Sequence, residues 1–213
     1  ICEGLVGSEM CIRDSRNPEY PLNPLTTTEL IDIWTTTASW YRAEVNRAQM
    51  NLLDSHDVPR ALHTLKGDVA ALKLSLLLLF LQPGAPCIYY GTEVGLAGGP
   101  DDDRSSGPEP ACREAFPWEQ PWTADLCSYV SRLKALRDRW INLGQPLITW
   151  NPVGSDGLTA SADTWRLWIN RSRQTDLRCS TADTANDVIC GSFVDGTLRP
   201  QSAVVCFTPG AKG

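Results

Sequence analysis

A cluster of polar residues that could do chemistry directly follows a short apolar stretch. Met50–Leu53 is followed by Asp-Ser-His-Asp, which ends at Asp57, and Pro59 then stops the strand pattern. A buried parallel strand delivers side chains in this way to the edge of a sheet, and in a barrel of parallel strands the chemistry lies at that carboxyl-terminal edge. Asp57 beside His56 could bind two adjacent hydroxyl groups of one substrate. The alternative is a turn in which Asp57 caps the next segment and His56 bonds to the backbone.

A second strand end of the same kind follows further along the chain. Pro86 precedes the apolar stretch Cys87–Tyr90, which predicts a strand that stops at Gly91, because glycine suits a tight turn at a sheet edge. Glu93 would lie at that edge, either orienting loops or substrate or as a solvated carboxylate. Since a helical pattern separates the two strands, a parallel sheet is expected.

Both stretches resemble motifs of the α-amylase family of retaining glycoside hydrolases. Residues 51–60, Asn-Leu-Leu-Asp-Ser-His-Asp-Val-Pro-Arg, resemble its Ser-His-Asp strand end in the form found in neopullulanases, cyclomaltodextrinases and maltogenic amylases. Residues 84–95 resemble its eighth-strand motif, Gly-x-Pro-x-Ile-Tyr-Tyr-Gly-x-Glu. The resemblance implies that Asp57 is the third carboxylate of the catalytic site and that His56 binds the same sugar.

Three further residues, Arg60, Glu93 and Arg113, are candidates for substrate binding on the same resemblance. Arg113 lies in Glu109–Trp118, which resembles the Asp-Pro-x-Cys-Arg-x-Pro-Met/Phe-x-Trp element of that branch. The chain departs from this element at its first residue and at Ala115, and it carries extra residues ahead of it. We therefore expect its contacts with substrate to differ in detail from those of the branch.

The retaining reaction needs more carboxylates than these motifs supply. It uses a nucleophilic carboxylate and an acid/base carboxyl about 5 Å apart, with hydrogen bonds that strengthen as the sugar ring flattens. In the family, the nucleophile is the Asp of a Gly-x-Arg-x-Asp strand end and the acid/base Glu lies on the next strand; neither motif occurs in this sequence. We expect an inactive carboxyl-terminal fragment of an enzyme that hydrolyses or transfers at α-1,4 or α-1,6-glucosidic bonds. Its expected partner is an α-glucan oligosaccharide: a maltooligosaccharide, a cyclodextrin or starch.

The elements that must position these residues follow from hydrophobic periodicity. Three stretches share a helical period: 28–41, 69–81 and 123–143. Thr28 and Asp68 are the expected N-caps of the first two. Three shorter stretches alternate as strands do: 164–170, 188–193 and 203–207.

This order of elements predicts an α/β fold. We expect the last two strands and flanking helices of a TIM (β/α)8 barrel, followed by a small antiparallel β-sandwich domain. The expected divisions are residues 1–16, interpreted as a non-native or disordered segment, 17–144 as the carboxyl-terminal portion of the barrel, and 145–213 as the β domain.

Composition and charge argue against several classes of partner. The net charge of −6 over 213 residues disfavours nucleic acid and anionic membranes. The longest apolar run, Leu74–Leu81, is far shorter than the ~20 residues of a membrane span. No pattern for a redox or nucleotide cofactor is present, so none is expected. The oligomeric state is not readable, and a cytoplasmic location is favoured over a secreted one.

The cysteines and one acidic triplet are the candidates for disulfide and metal sites. None of the eight cysteines forms a Cys-x-x-Cys pair, so no metal site is expected from them. Cys179, Cys190 and Cys206 lie close together in the sequence and could form one disulfide. Asp101–Asp103 could attract calcium in the whole protein, although an acidic triplet is more often solvated.

Two other classes of function remain open from the sequence. One is a non-catalytic carbohydrate-binding or partner module that uses the tryptophan-rich surface. The other is an amylase-like chain that has lost catalysis, against which the His56–Asp57 pair weighs. Within the enzyme class, the alternative is an α-glucosidase or sucrose-active relative.

Overall fold

The described part of the chain forms two compact units. In the computed structural model it comprises residues 25–56, 58–98, 111–119, 122, 124–142, 144–145, 147–162, 165–179 and 186–207. One unit takes in Thr36–Asp138, and the other takes in Leu25–Thr35 and the residues from Arg139 onward. The expected segment 1–16, the calcium candidates Asp101–Asp103 and the candidate carboxylate Asp57 lie outside the described residues.

Helices and strands alternate along the first part of the chain. In order, the elements are α1 Thr27–Ser39, α2 Ala43–Ala48, β1 Met50–Leu52, α3 Ala61–Thr64, α4 Val69–Leu81, β2 Ala85–Cys87 and α5 Ala124–Asn142. Two 3-10 turns, Thr92–Val94 and Ala111–Arg113, lie between β2 and α5.

The two strands of this unit pair in parallel, which confirms the parallel sheet expected from the sequence. Met50 lies opposite Ala85, and Leu52 lies opposite Cys87. The prediction that the second strand covers Cys87–Tyr90 was wrong in position, because the pairing register of the three-residue β1 ends the ladder at Cys87. The buried residue of β1 is polar: the Asn51 side chain donates to the carbonyl oxygen of Pro83 at 2.6 Å.

Helix α1 begins at Thr27, two residues earlier than predicted from an N-cap at Thr28. Thr26 and Glu29 form a capping box, in which the Glu29 backbone N–H donates to Thr26 Oγ1 at 3.2 Å and the Thr26 N–H donates to Glu29 Oε2 at 2.8 Å. The Thr26 N–H and the Thr26 hydroxyl, which also donates to Glu29 Oε2 at 2.8 Å, both lower the pKa of Glu29. The helix ends at Ser39, ahead of the predicted end at Tyr41.

Helix α4 is buried on nearly every side. Its predicted cap is confirmed, since the Asp68 side chain accepts from the Ala71 N–H at 3.0 Å. All residues from Leu74 to Leu81 are buried, so burial surrounds the helix instead of following one face. A helix that is apolar all round belongs inside a core.

Helix α5 carries an arginine on its buried face. The predicted stripe is confirmed where Leu126, Tyr129 and Leu133 are buried. Arg137 lies on the same stripe and is only 7% exposed. Its Nη1 donates to the carbonyl oxygens of Phe80 at 2.6 Å and Gln82 at 3.0 Å, and its Nη2 donates to that of Gly84.

Arg137 therefore binds three carbonyl groups at the end of α4 and in the turn towards β2. The last carbonyls of a helix have no partner within the helix, so a side chain that supplies donors satisfies them. Burial lowers the pKa of Arg137.

The strands of the second unit form antiparallel sheets. In order, they are β3 Thr149–Val153, β4 Gly157–Ala162, β5 Trp165–Asn170, β6 Leu177–Arg178, β7 Asn186–Cys190, β8 Phe193–Val194, β9 Thr197–Leu198 and β10 Ser202–Phe207. One sheet has the order β3-β4-β5-β10-β7, and the other has the order β6-β9-β8. The antiparallel pairing expected for this region is confirmed.

The stretch 188–193 was expected to be one strand and is divided between two. Strand β7 ends at Cys190, and Gly191 follows with a positive φ of +72°. A Cβ at Gly191 would meet Ser202 Oγ at 2.0 Å, so only glycine fits this turn.

Buried residues from both sheets of the second unit meet in one cluster. Its members are Trp168, Cys179, Leu198, Val204 and Cys206. The disulfide considered from the sequence is not formed, because all three candidate cysteines are free thiols. Burial raises the pKa of the Cys179 thiol to about 11, which keeps it protonated in its apolar surroundings.

Candidate functional site

The first predicted site residue, His56, is exposed and lies in the segment that follows β1. Its carbonyl oxygen accepts from Arg113 Nε at 3.1 Å and from Cys112 Sγ at 3.2 Å. Two residues of the distant 3-10 turn therefore fix the backbone at His56. The structure thus brings His56 and Arg113 together, while Asp57 is outside the part of the chain that is described.

Asp54, which the sequence analysis left without a role, lies at the start of this segment. Its side chain is 3% exposed, and its Oδ2 accepts from the Ala61 N–H at 3.0 Å and from Thr92 Oγ1 at 2.8 Å. Asp54 thereby joins the first residue of α3 to the turn after β2. Burial raises the pKa of Asp54, while these two hydrogen bonds and the positive charge of Arg60 oppose that rise.

Arg60 closes the same segment and is fully enclosed by protein, with 0% of its surface exposed. Its Nη1 donates to the carbonyl oxygen of Tyr90. Its guanidinium carbon lies 4.2 Å from the ring centroid of Tyr89 and 4.6 Å from that of Tyr90. Arg60 Nε and Nη2 have no hydrogen-bond partner among the described residues. The structure encloses this predicted substrate-binding side chain, so its position does not support direct contact with a sugar.

Glu93 lies in the 3-10 turn that follows β2 and is half-buried. The tight turn expected at Gly91 is present: its φ is +90°, and a Cβ there would lie 2.7 Å from the Leu96 side chain. Within the described chain, Glu93 Oε2 is buried without a hydrogen-bond partner. The negative charge of Glu93 also raises the pKa of Asp54, so the two carboxylates interact electrostatically.

One further hydrogen bond links the turn after β2 to the residue that follows Arg113. The Tyr90 hydroxyl donates to the carbonyl oxygen of Glu114 at 2.7 Å. Three separate pieces of sequence are therefore tied together: 54–60, 89–93 and 112–114. Four of the five predicted site residues lie in these pieces, and the fifth, Asp57, lies between described residues of the first.

A group of exposed aromatic side chains follows the third segment. Trp118 is 77% exposed and Trp122 is 42% exposed. The Phe116 ring centroid lies 4.5 Å from that of Trp118 and 5.6 Å from that of Trp122. Trp122 Nε1 donates to the carbonyl oxygen of Pro117 at 2.8 Å, which fixes the orientation of its indole. Exposed, oriented aromatic rings of this kind can bind a partly apolar ligand.

The described residues contain no grouping of metal ligands and no membrane-spanning helix. No group of three or more His, Cys, Asp or Glu side chains there is arranged to hold a metal ion. Among the helices of the described chain, none combines the length and the apolar character that crossing a membrane requires.

Asn170, which begins an Asn-Arg-Ser sequence, has a structural role. Its side chain is 2% exposed, and its Nδ2 donates to the carbonyl oxygens of Thr175 at 2.8 Å, Arg199 at 3.1 Å and Leu198 at 3.2 Å. The buried amide holds the end of β5 against two neighbouring segments of the second unit.

Comparison with known sequences gives matches to cyclomaltodextrinases and a neopullulanase. A cyclomaltodextrinase of Geobacillus thermopakistaniensis is 41% identical over 101 residues, which is 47% of this chain and 16% of that protein. Neopullulanase 2 of Thermoactinomyces vulgaris is 35% identical over 118 residues, 50% of this chain and 19% of that protein. The matched stretches therefore span less than a fifth of the length of these relatives.

Solved structures with the same fold cover more of the chain. The cyclic α-maltosyl-(1→6)-maltose hydrolase of Arthrobacter globiformis has a TM-score of 0.67 and 27% identity, and the match covers 86% of this chain and 40% of that one. The debranching enzyme of Nostoc punctiforme has a TM-score of 0.69 and 25% identity, over 95% of this chain and 44% of that one.

The family model described as "Alpha amylase, catalytic domain" matches residues 9–144. This match starts inside the segment 1–16 and contains all three tied segments of the candidate site. Because it covers more than half of the sequence, the chain belongs to the α-amylase family of glycoside hydrolases.

Proposed function

We propose that this chain is the carboxyl-terminal part of a retaining glycoside hydrolase that acts on α-glucans. The substrates would be maltooligosaccharides, cyclodextrins or starch, cleaved or transferred at α-1,4 or α-1,6-glucosidic bonds. The observation that carries the proposal is the joining of the three motif-bearing segments through hydrogen bonds, above all those from Arg113 and Cys112 to the carbonyl oxygen of His56.

Four of the predicted site residues have direct roles in this proposal. Asp57 is the third carboxylate, which binds sugar hydroxyls more strongly as the ring flattens towards the transition state. His56 binds the same sugar, and its exposed position leaves it accessible. Arg113 shapes the site beside His56, and Glu93 orients the adjoining loop or the substrate. The nucleophile and the acid/base group would come from the part of the enzyme that precedes these residues.

The proposal includes an architecture of two domains. Residues 17–144 would be the end of a (β/α)8 barrel with β1 and β2 as its last two strands, and 145–213 would be a β-sandwich domain. The parallel pairing of β1 with β2 supports the first part. The buried cluster shared by the five-stranded and three-stranded sheets supports the second. No organic cofactor is included in the proposal.

The test uses the protein expressed from the complete reading frame that contains these residues. We expect it to release reducing sugar from maltohexaose and β-cyclodextrin with retention of the anomeric configuration. We expect Asp57→Asn to lower kcat by roughly 10³-fold, because it removes a group that stabilises charge in the transition state. Asp195→Asn is the matched control, since Asp195 is exposed in the turn between β8 and β9. Absence of turnover in the wild type, or full activity of Asp57→Asn, would contradict the proposal.

A second candidate function is non-catalytic binding of glucan, favoured by the exposed rings of Trp118 and Trp122. If this function is correct, maltohexaose should quench the tryptophan fluorescence of the 213-residue chain alone. Trp118→Ala should abolish the signal, while Trp40→Ala should retain it, because Trp40 is 68% exposed and belongs to no aromatic group among the described residues. Equal responses of the two variants would exclude this candidate.

A further inference from the structure

Two buried side chains that carry no assigned role as a pair join the His56 segment to the turn after β2. We propose that Asp54 and Arg60 are positioning residues, which hold the segment carrying His56 in the conformation that it needs at the sugar. This inference rests on the proposed function. It also gives Arg60 a different role from the direct contact with substrate that the sequence resemblance implied.

Asp54 and Arg60 attach the His56 segment at both of its ends. Asp54 precedes His56 and binds Thr92 Oγ1 at 2.8 Å. Arg60 follows it and binds the carbonyl oxygen of Tyr90. The two ends of the segment are therefore attached to neighbouring residues of one turn, and His56 lies between the attachments. An Asp54–Ala61 hydrogen bond of 3.0 Å closes the segment upon itself.

Burial argues for a role beyond packing. Arg60 is 0% exposed, and of its three side-chain nitrogens only Nη1 has a hydrogen-bond partner among the described residues. A buried cation is costly unless it is paired, and a Leu or Met would fill the same volume without that cost. Unlike Leu or Met, the guanidinium donates a directional hydrogen bond to the carbonyl oxygen of Tyr90 and contacts the faces of two tyrosine rings.

Electrostatics couples the two positioning residues to each other. The positive charge of Arg60 acts on Asp54 and favours its ionised form against the effect of burial. An ionised Asp54 is a stronger acceptor for the Thr92 hydroxyl and the Ala61 N–H. Loss of Arg60 therefore weakens both attachments of the His56 segment. The position of His56 at the sugar then depends on Asp54 and Arg60, and a displacement of about 1 Å is enough to reduce turnover roughly 10²-fold.

The kinetic test uses the protein from the complete reading frame and three variants. We expect Arg60→Met to lower kcat on maltohexaose roughly 10²-fold while KM changes less than about twofold. We expect Arg60→Lys to recover part of the loss, because the charge beside Asp54 remains. Arg137→Met is the matched control: it removes another buried arginine that binds carbonyl oxygens, at the end of α4, and should lower stability while leaving kcat and KM of the folded enzyme unchanged.

Two kinetic outcomes would overturn the inference. A large rise in KM with kcat unchanged would mean that Arg60 contacts the sugar directly. Unchanged kcat and KM in Arg60→Met would mean that it has no part in the site.

A second measurement separates this inference from the proposed function. Amide hydrogen exchange of the 213-residue chain reports local opening without any need for turnover. We expect Arg60→Met to accelerate exchange in peptides covering 53–60 and 89–93, and Arg137→Met to accelerate it around 80–85 instead. If the wild-type enzyme shows no turnover but this pattern appears, the positioning link stands and the proposed function fails. If Arg60→Met leaves the exchange of 53–60 unchanged, the link itself is refuted.

Discussion

Replacing Arg137 by methionine tests how a buried cation stabilises the first unit. Methionine keeps most of the side-chain length but removes the three hydrogen bonds to the carbonyl oxygens of Phe80, Gln82 and Gly84. These carbonyls lie at and beyond the end of α4, where the helix itself provides no donors.

The magnitude follows from two opposing effects. Hydrogen bonds to a charged donor contribute about 1.5–3 kcal/mol each, so three would give about 4.5–9 kcal/mol if they were independent. They share one guanidinium, whose removal from water costs several kcal/mol, and methionine recovers part of the apolar packing. We therefore expect Arg137→Met to lower the free energy of unfolding by about 3 kcal/mol. For a protein of this size, that corresponds to a Tm lower by roughly 6–12 °C.

Urea denaturation followed by circular dichroism measures the change as a shift in midpoint at constant slope. Lys134→Met is the control on the same helix: its ion pair with Asp138, at 2.6 Å, joins two exposed side chains. Such a pair contributes about 0.3–0.5 kcal/mol. A loss for Arg137→Met no larger than that for Lys134→Met would refute the account of the end of α4.

Three further predictions concern backbone strain, pH dependence and thiol reactivity. Gly84→Ala should lower the free energy of unfolding by more than about 3 kcal/mol, because its Cβ would lie 2.5 Å from a backbone oxygen. Gly144→Ala, whose φ is also positive at +84° but which has nothing within 4 Å, should lower it by about 1–2 kcal/mol in urea titrations; equal losses would contradict this. Because the pKa of Glu29 is lowered in the folded state, its carboxylate stabilises the fold fully above the ordinary pKa of 4.5. This stabilisation is lost as the pH falls through the lower folded-state pKa. Glu29→Gln should therefore flatten the acid side of the stability–pH curve, and an unchanged curve would contradict this. Iodoacetamide at pH 8 should modify Cys127 before Cys179, because the pKa of Cys179 is raised to about 11; equal rates in the folded protein, measured by mass spectrometry, would be inconsistent with that burial.

The sequence was most informative where one local signal decided the structure. The Asp68 cap, the turn at Gly91 and the buried stripe of Leu126, Tyr129 and Leu133 each depend on residues close in sequence, and each was predicted correctly. The family resemblance also rested on contiguous motifs, and the family match agrees with it.

Features set by distant parts of the chain were missed. The extent of β2 depends on its register with β1, which no local pattern encodes. Strands β3 and β4 were not predicted, because Pro152 and the small residues of 157–162 give a weak strand signal.

The candidate site shows the same limit. The pairing of Asp54 with Thr92 and of Arg60 with Tyr90 joins residues at least thirty positions apart, so the sequence offered only residue types. A carboxylate at a strand end followed by a buried arginine could have suggested a positioning pair, but burial itself was not readable. The roles of Asp57, His56, Glu93 and Arg113 at the sugar stay predictions.

The reading frame upstream of Asn17 in the coding DNA tests the central claim most directly. We predict that it encodes a Gly-x-Arg-x-Asp strand end and, on the next strand, a glutamate, which would supply the nucleophile and the acid/base group of a retaining glycoside hydrolase. A frame in which both carboxylates are replaced, or in which no such strands precede this chain, would contradict the claim that Asp57 is the third carboxylate of a catalytic site.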